Sequence, residues 1–173
     1  MLYAQRLLDN LDPSRHEIHV ILSNYARTVV SEELPDGLRL PPGALSHSLK
    51  SMNAPFASGS NPADAMVVIP CSMGTLGRIA HGYSEDVLLR AADVMLKERR
   101  KLILMVRESP FHLGHLRNMT ALAEMGAIIA PPIPGFYHYP QTVEDLVDHS
   151  IDRVLDLIGI SDPRVRRWEG VAR

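Results

Sequence analysis

The period of the apolar positions changes several times along the chain, and each change marks a new element. At the start, Leu2, Tyr3, Leu7, Leu8 and Leu11 recur near every 3.6 residues, which predicts an amphipathic helix over 1–11, closed by Asp12-Pro13. The run Glu17-Ile18-His19-Val20-Ile21-Leu22 is β-rich and predicts a strand ending at Ser23. Residues 25–33 read as helix again. Residues 34–60, rich in Pro, Gly and Ser, read as surface connection with one short strand near 48–50.

The middle is more regular. Ala65-Met66-Val67-Val68-Ile69-Pro70 is a continuous apolar run, the mark of a strand buried on both faces. Cys71-Ser72-Met73-Gly74-Thr75 leads into a helix through about His81, and Ser84 is placed to cap a helix over 85–99. In that helix Val87, Leu88, Ala91, Val94 and Met95 form the apolar face. Residues 101–106 make a further buried strand, followed by Arg107-Glu108-Ser109-Pro110. A helix over 113–125 stops at Gly126, a short strand covers 127–130, and a proline-rich loop over 131–140 holds Gly135-Phe136-Tyr137-His138. A last helix over 142–158 stops at Gly159. With no repeat and no second periodic block, residues 1–160 are expected to form one α/β domain and 161–173 a tail.

Short apolar strands alternating with helices argue for a parallel sheet covered on both faces. In such sheets ligands bind beyond the carboxyl ends of the strands. That rule singles out Ser23, Ser72, Thr75, Arg107 and Glu108, each just past the end of a predicted strand and therefore able to converge on one crevice. Composition narrows the partners. At 173 residues the chain can bury roughly two thirds of its unfolded surface. A net charge of −2 offers no general attraction to nucleic acid or to anionic membranes. Cys71 is the sole cysteine, so neither an intramolecular disulfide nor a four-cysteine zinc site is possible. No apolar run approaches the roughly 20 residues of a membrane span, and no basic-then-apolar leader opens the sequence, so a reducing cytoplasm is expected.

Each candidate has a plain alternative. Small residues in the 71–75 turn let a ligand approach the backbone, amides at a helix start favour an anion, and Ser72 and Thr75 add hydroxyls. The same turn also reads as an ordinary strand-to-helix connection with a serine cap. Arg107-Glu108 is either an acid/base beside an anion-binding guanidinium or a rim salt bridge. Arg90 and Lys97, seven apart, share a helix face; Lys97 is long enough to reach an anion at a neighbouring site or subunit, whereas Arg99 and Arg100 read as a solvated helix end. Tyr137 sits in an aromatic loop able to cap an apolar substrate, and Arg153 reads locally as a surface charge. Trp168 either covers a pocket or anchors the tail. His112 and His115 lack a third ligand at a convincing spacing, and Cys71 has no histidine placed to activate it.

Taken together, several segments resemble the UbiX-type flavin prenyltransferase family. They are Pro55-Phe56-Ala57-Ser58-Gly59-Ser60, Val68-Ile69-Pro70-Cys71-Ser72-Met73-Gly74-Thr75-Leu76, residues 90–100, Val106-Arg107-Glu108, Pro134-Gly135-Phe136-Tyr137-His138 and Val143-Glu144-Asp145-Leu146-Val147, in order from Leu2 to about Ile160. The resemblance implies a Rossmann-like, flavodoxin-like three-layer subunit in a homo-oligomer, usually a dodecamer with sites at subunit junctions. It implies transfer of a dimethylallyl group from dimethylallyl monophosphate to N5 and C6 of reduced FMN, without a metal. The prenylated FMN would serve a UbiD-type decarboxylase in ubiquinone synthesis or aromatic-acid metabolism.

By position, the resemblance makes Ser23, Ser72, Met73, Gly74, Thr75 and Arg107 flavin contacts, and Lys97, Tyr137 and Arg153 ligands of the donor phosphate. Glu108 matches the acid/base of ring closure, Glu33 a second carboxylate near the flavin, Arg90 an arginine beside the site, and Trp168 an aromatic cover. Family members begin with a central strand and a Gly-x-(Ser/Thr)-Gly-Ala-Ser-Gly-like loop carrying a catalytic serine, whereas this sequence opens at Met1, in or just before the helix that follows. The expectation is that the chain as written binds FMN weakly or is inactive unless something replaces that strand. Two other classes stay open: a flavin-dependent cysteine decarboxylase, disfavoured by Pro55-Phe56-Ala57-Ser58-Gly59-Ser60, and an FMN-binding remnant without activity.

Overall fold

The computed structural model describes residues 1–160. Among these, the elements run α1 (Leu2–Asp9), β1 (His19–Ile21), α2 (Asn24–Glu33), β2 (Leu45–His47), a 3-10 turn (Pro55–Ala57), β3 (Ala65–Cys71), α3 (Met73–Ala80), α4 (Val87–Lys97), β4 (Lys101–Val106), α5 (Leu113–Glu124), β5 (Ile128–Ile129) and α6 (Val143–Ile158).

Strand β4 shows why the layers form. Its residues are buried from Leu102 onward, and alternate side chains point to opposite faces. Leu102, Leu104 and Val106 pack with Leu76 and Ile79 of α3, Leu89 and Met95 of α4, and Leu122 of α5. Ile103 and Met105 pack on the other face with Leu7 of α1 and Val147, Ile151, Val154 and Leu155 of α6. The result is a three-layer, flavodoxin-like α/β sandwich.

All strand pairings are parallel, as expected, but the strands form two pieces: β1-β2, and β3-β4-β5. No ladder joins β1 to β3; two apolar clusters do so instead. Ile21 and Met66 both pack on Phe56, Val87 and Ala91, while Leu22 and Ile69 both pack against Met1, Ala4 and Val29. The second cluster lays α2 across the ends of β1 and β3, the carboxyl end of the sheet where ligands bind in folds of this kind.

Several local expectations shift. The short strand near 48–50 lies at Leu45–His47, where parallel pairing with β1 selects it. Helix α4 is capped by Asp86, whose carboxylate accepts from the Leu89 N–H at 2.9 Å, and not by Ser84. It stops at Lys97, two residues early, because Arg99 takes a left-handed φ of 54°. The other stops fall as read: Gly126 (φ 100°) and Gly159 (φ 93°) supply the left-handed turns after α5 and α6. Thr142 and Asp145 form a reciprocal capping box at the start of α6. Among the described residues no helix is long and apolar enough to cross a membrane.

Candidate functional site

The turn after β3 is the best-defined part of the site. Ser72 is the N-cap of α3: its Oγ accepts from the Thr75 N–H at 3.3 Å and donates to Thr75 Oγ1 at 3.2 Å. The Met73 and Gly74 N–H groups fall in the first turn, where no intrahelical acceptor exists, so the helix start favours an anion or a polar edge. A Cβ on Gly74 would meet only Ser72 Oγ, at 3.9 Å. Among the described residues nothing crowds that position, so the backbone there is open to close approach.

Cys71 anchors this turn from below. The residue is fully buried, and that burial pushes the thiol up to about 12, so it is neutral and inert near neutrality. The Arg107 N–H donates to the Cys71 carbonyl at 3.2 Å, which fastens the end of β4 to the Ser72 turn. Arg107 and Glu108 both have exposed side chains. Glu108 accepts from the Ser109 N–H at 3.1 Å, and no ion pair joins it to Arg107. The rim salt bridge is therefore not formed.

Ser23 and Glu33 reach the same end of the sheet by a different route. Ser23 caps α2, accepting from the Ala26 N–H at 3.1 Å, and Glu33 ends that helix in an ion pair with the Met1 amino group. Since Met1 and Val29 pack with Leu22 and Ile69, α2 is held over the ends of β1 and β3. Tyr137 arrives on the loop that leaves β5 at the carboxyl end of the same sheet, with its ring edge-on to His138 and His149.

Three candidates stand elsewhere. Lys97 ends α4 four residues before β4 begins, and shares a concavity with Ile79, Ala80 and Met125, all at the end where the strands start. The length of β4 separates it from Arg107 by roughly 17 Å. Its ammonium pairs with Glu98, and both tips lie over Gly59, where a Cβ would overlap them. Arg153 lies ten residues along α6, exposed and 3.8 Å from Asp156. Arg90 bonds the Ala57 carbonyl at 3.0 Å and pairs with Asp93 at 2.8 Å, so it holds the 3-10 turn against α4. The sequence rule grouped residues by strand end, and these three sit within helices. Trp168 lies outside the described residues.

The histidine pair of α5 has a local role. His112 Nδ1 accepts from the Gly114 N–H at 3.0 Å and so serves as the helix cap, stacked on His115. Among the described residues no three metal-ligating side chains come together. One residue escaped the sequence reading altogether: His149, stacked on His138 at a centroid distance of 4.3 Å. Nothing local distinguishes it from any other polar position of α6.

With this geometry established, the comparisons with known proteins are informative. The family model described as Flavoprotein matches residues 1–155. The flavin prenyltransferase UbiX of Methanocaldococcus jannaschii is 46% identical over 170 residues, covering 97% of this chain and 92% of that protein. The flavin prenyltransferase UbiX of Escherichia coli K12 is 45% identical over 174 residues, covering 98% and 92%. Among solved structures, AnUbiX (PadA1) in complex with FMN and dimethylallyl pyrophosphate superposes with a TM-score of 0.90 at 39% identity, covering 99% of this chain and 92% of that one. A dodecameric FMN-dependent UbiX-like decarboxylase from Escherichia coli O157:H7 gives 0.87 at 43%, covering 98% and 91%. A PPC decarboxylase mutant complexed with pantothenoylaminoethenethiol shares the fold alone, at 18% identity and a TM-score of 0.58. The chain belongs to the flavoprotein family and, within it, to the UbiX-type flavin prenyltransferases.

Proposed function

We propose that this chain, a prenyltransferase by family, transfers the dimethylallyl group of dimethylallyl monophosphate to reduced FMN, and that the prenylated flavin passes to a UbiD-type decarboxylase in ubiquinone or aromatic-acid metabolism. The observation that carries the reading is the bond from the Arg107 N–H to the Cys71 carbonyl, which sets an exposed guanidinium and the Glu108 carboxylate beside the Ser72 turn.

The donor set suits a flavin mononucleotide. Helix-start amides, the hydroxyls of Ser72, Thr75 and Ser23, and the Arg107 guanidinium match phosphate, ribityl and ring-edge oxygens. Reduced flavin supplies a π-rich partner for the allylic carbon. The bond that breaks joins that carbon to the phosphate oxygen, so charge grows on the leaving phosphate and cations around it lower the barrier. Lys97, Arg153 and Arg90, with Tyr137, Trp168 and Arg107, are the groups assigned to hold it. Glu108 exchanges the protons that accompany ring closure, with Glu33 as a second carboxylate.

Lys97 and Arg153 lie away from the strand-end crevice of their own subunit, which favours a homo-oligomer, a dodecamer by analogy with the solved relative, in which they face a neighbour's crevice. A cytoplasmic site is consistent with the single buried thiol. The test mixes the purified protein, anaerobically, with reduced FMN and dimethylallyl monophosphate and weighs the flavin by mass spectrometry. The prenyltransferase reading gives a flavin heavier by one prenyl unit; flavin binding at unchanged mass overturns it in favour of the FMN-binding remnant.

A further inference from the structure

His149 meets the rings of the aromatic loop from helix α6. It projects from the second turn of α6, half-buried, and three rings meet there. His138 stacks on it with centroids 4.3 Å apart and planes tilted by 22°. Tyr137 stands edge-on to both, 5.5 Å from His138 at 82° and 5.5 Å from His149 at 84°. Gly135 closes the assembly from beneath: a Cβ there would come within 2.9 Å of Tyr137 Cε1 and 3.0 Å of His149 Nε2. The loop thus carries Tyr137, but its contact with α6 is made through His149.

We infer that His149 is a positioning residue for Tyr137, and that the site holds the donor phosphate well only while the two stacked imidazoles are neutral. The inference rests on the assignment of Tyr137 as a donor ligand. Both ring nitrogens of His138 are buried without a hydrogen-bond partner among the described residues, so the contact of that ring with α6 is its stack on His149. Burial, and secondarily the neighbouring His138, hold His149 below the usual imidazole range. Charging both rings would set like charges face to face.

Of the surrounding groups, Asp145 is drawn electrostatically to His138. Asp145, one turn earlier on α6, has its Oδ2 taken by the Gln141 and Thr142 N–H groups at 2.8 and 3.0 Å. Asp148 is held by Arg6 of α1, at 2.6 and 2.5 Å. The remaining charged or titratable groups on the packed elements are Glu144, Asp152, Arg153 and Asp156 of α6, Tyr3 and Asp9 of α1, and Tyr137 and Tyr139 of the loop.

The test is calorimetric titration of dimethylallyl monophosphate into the FMN-loaded protein between about pH 7.5 and 5.5, the range in which imidazoles titrate. At the upper pH, His149→Ala should raise the donor Kd about tenfold, the equivalent of one lost polar contact. His149→Phe, flat but without a proton to gain, should bind within about twofold of the parent there. The donor's own phosphate titrates in this window, so the acid-side weakening of the parent is read against that of His149→Phe, which should be smaller. In a Tyr137→Ala background, His149→Ala should add nothing further.

Parent-like donor affinity in His149→Ala, or an unchanged pH slope in His149→Phe, overturns the inference, provided Tyr137→Ala is itself weakened. If Tyr137→Ala binds as the parent does, the assignment of Tyr137 is what fails. No binding by the parent chain overturns both.

Discussion

Replacing Ser72 separates two jobs that one hydroxyl is proposed to perform. As the cap of α3 it accepts from Thr75 at 3.3 Å, a long bond by the standards of N–H···O geometry. Its loss in Ser72→Ala should therefore fall in the lower part of the capping range, about 0.5–1 kcal/mol. For a domain of this size that is a fall in Tm of about 1–4 °C, measured without flavin so that ligand binding does not mask it. As a flavin contact the hydroxyl should be worth about 0.5–1.5 kcal/mol against a neutral partner and about 1.5–3 against a phosphate, so Kd should rise at least about twofold. Ser72→Gly dissects the two, since glycine is tolerated at a cap for a few tenths of a kcal/mol. The Gly variant should melt close to the parent yet bind FMN as poorly as the Ala variant, measured by quenching of flavin fluorescence. Parent-like FMN affinity in both variants would refute the proposed contact. Recovery of affinity in the Gly variant alone would show that Ser72 acts only through the helix.

Three further outcomes follow from the core and the titrating groups. Cys71, buried with its thiol raised to about 12, should resist iodoacetamide in the native protein and react once urea unfolds it; rapid native labelling would contradict the burial. Leu104→Ala removes a fully buried side chain from the centre of β4 and should cost about 2–5 kcal/mol, read as a lower urea midpoint at unchanged slope. His47 and His149 both lie below the usual imidazole value in the fold, chiefly through burial. The unfolded chain then binds more protons, so their contribution is complete above the ordinary value of about 6.5 and is lost as pH falls through the folded ones. Thermal stability should decline between about pH 7 and 5, and less so in a His47→Phe, His149→Phe double variant.

Much of the fold was legible from local pattern because period, capping and backbone stops act within a few residues. The alternation in 101–106 set Leu102 and Leu104 against Ile103 and Met105, and the structure buries them in different layers. Ser72, Thr142, Gly126 and Gly159 stop or start helices where the sequence said they would, since a cap bonds only to its own turn. The strand-end rule also grouped the Ser72 turn with Arg107-Glu108, and the structure sets them side by side because topology alone brings the ends of neighbouring parallel strands together.

Other features depended on residues distant in sequence. Asp86 displaced Ser84 as the cap of α4, in the turn where the Val87 N–H bonds the Leu49 carbonyl. The ladder divides between β1 and β3, and side-chain clusters take over the joining. The far-end positions of Lys97 and Arg153, and the meeting of His149 with the 131–140 loop, follow from how helices lie on the sheet. The sequence by itself therefore determined the elements, most of their caps and which candidate residues share the strand ends. Which helical side chains face that site was decided only by packing, because a helix presents every direction until a sheet covers one of them.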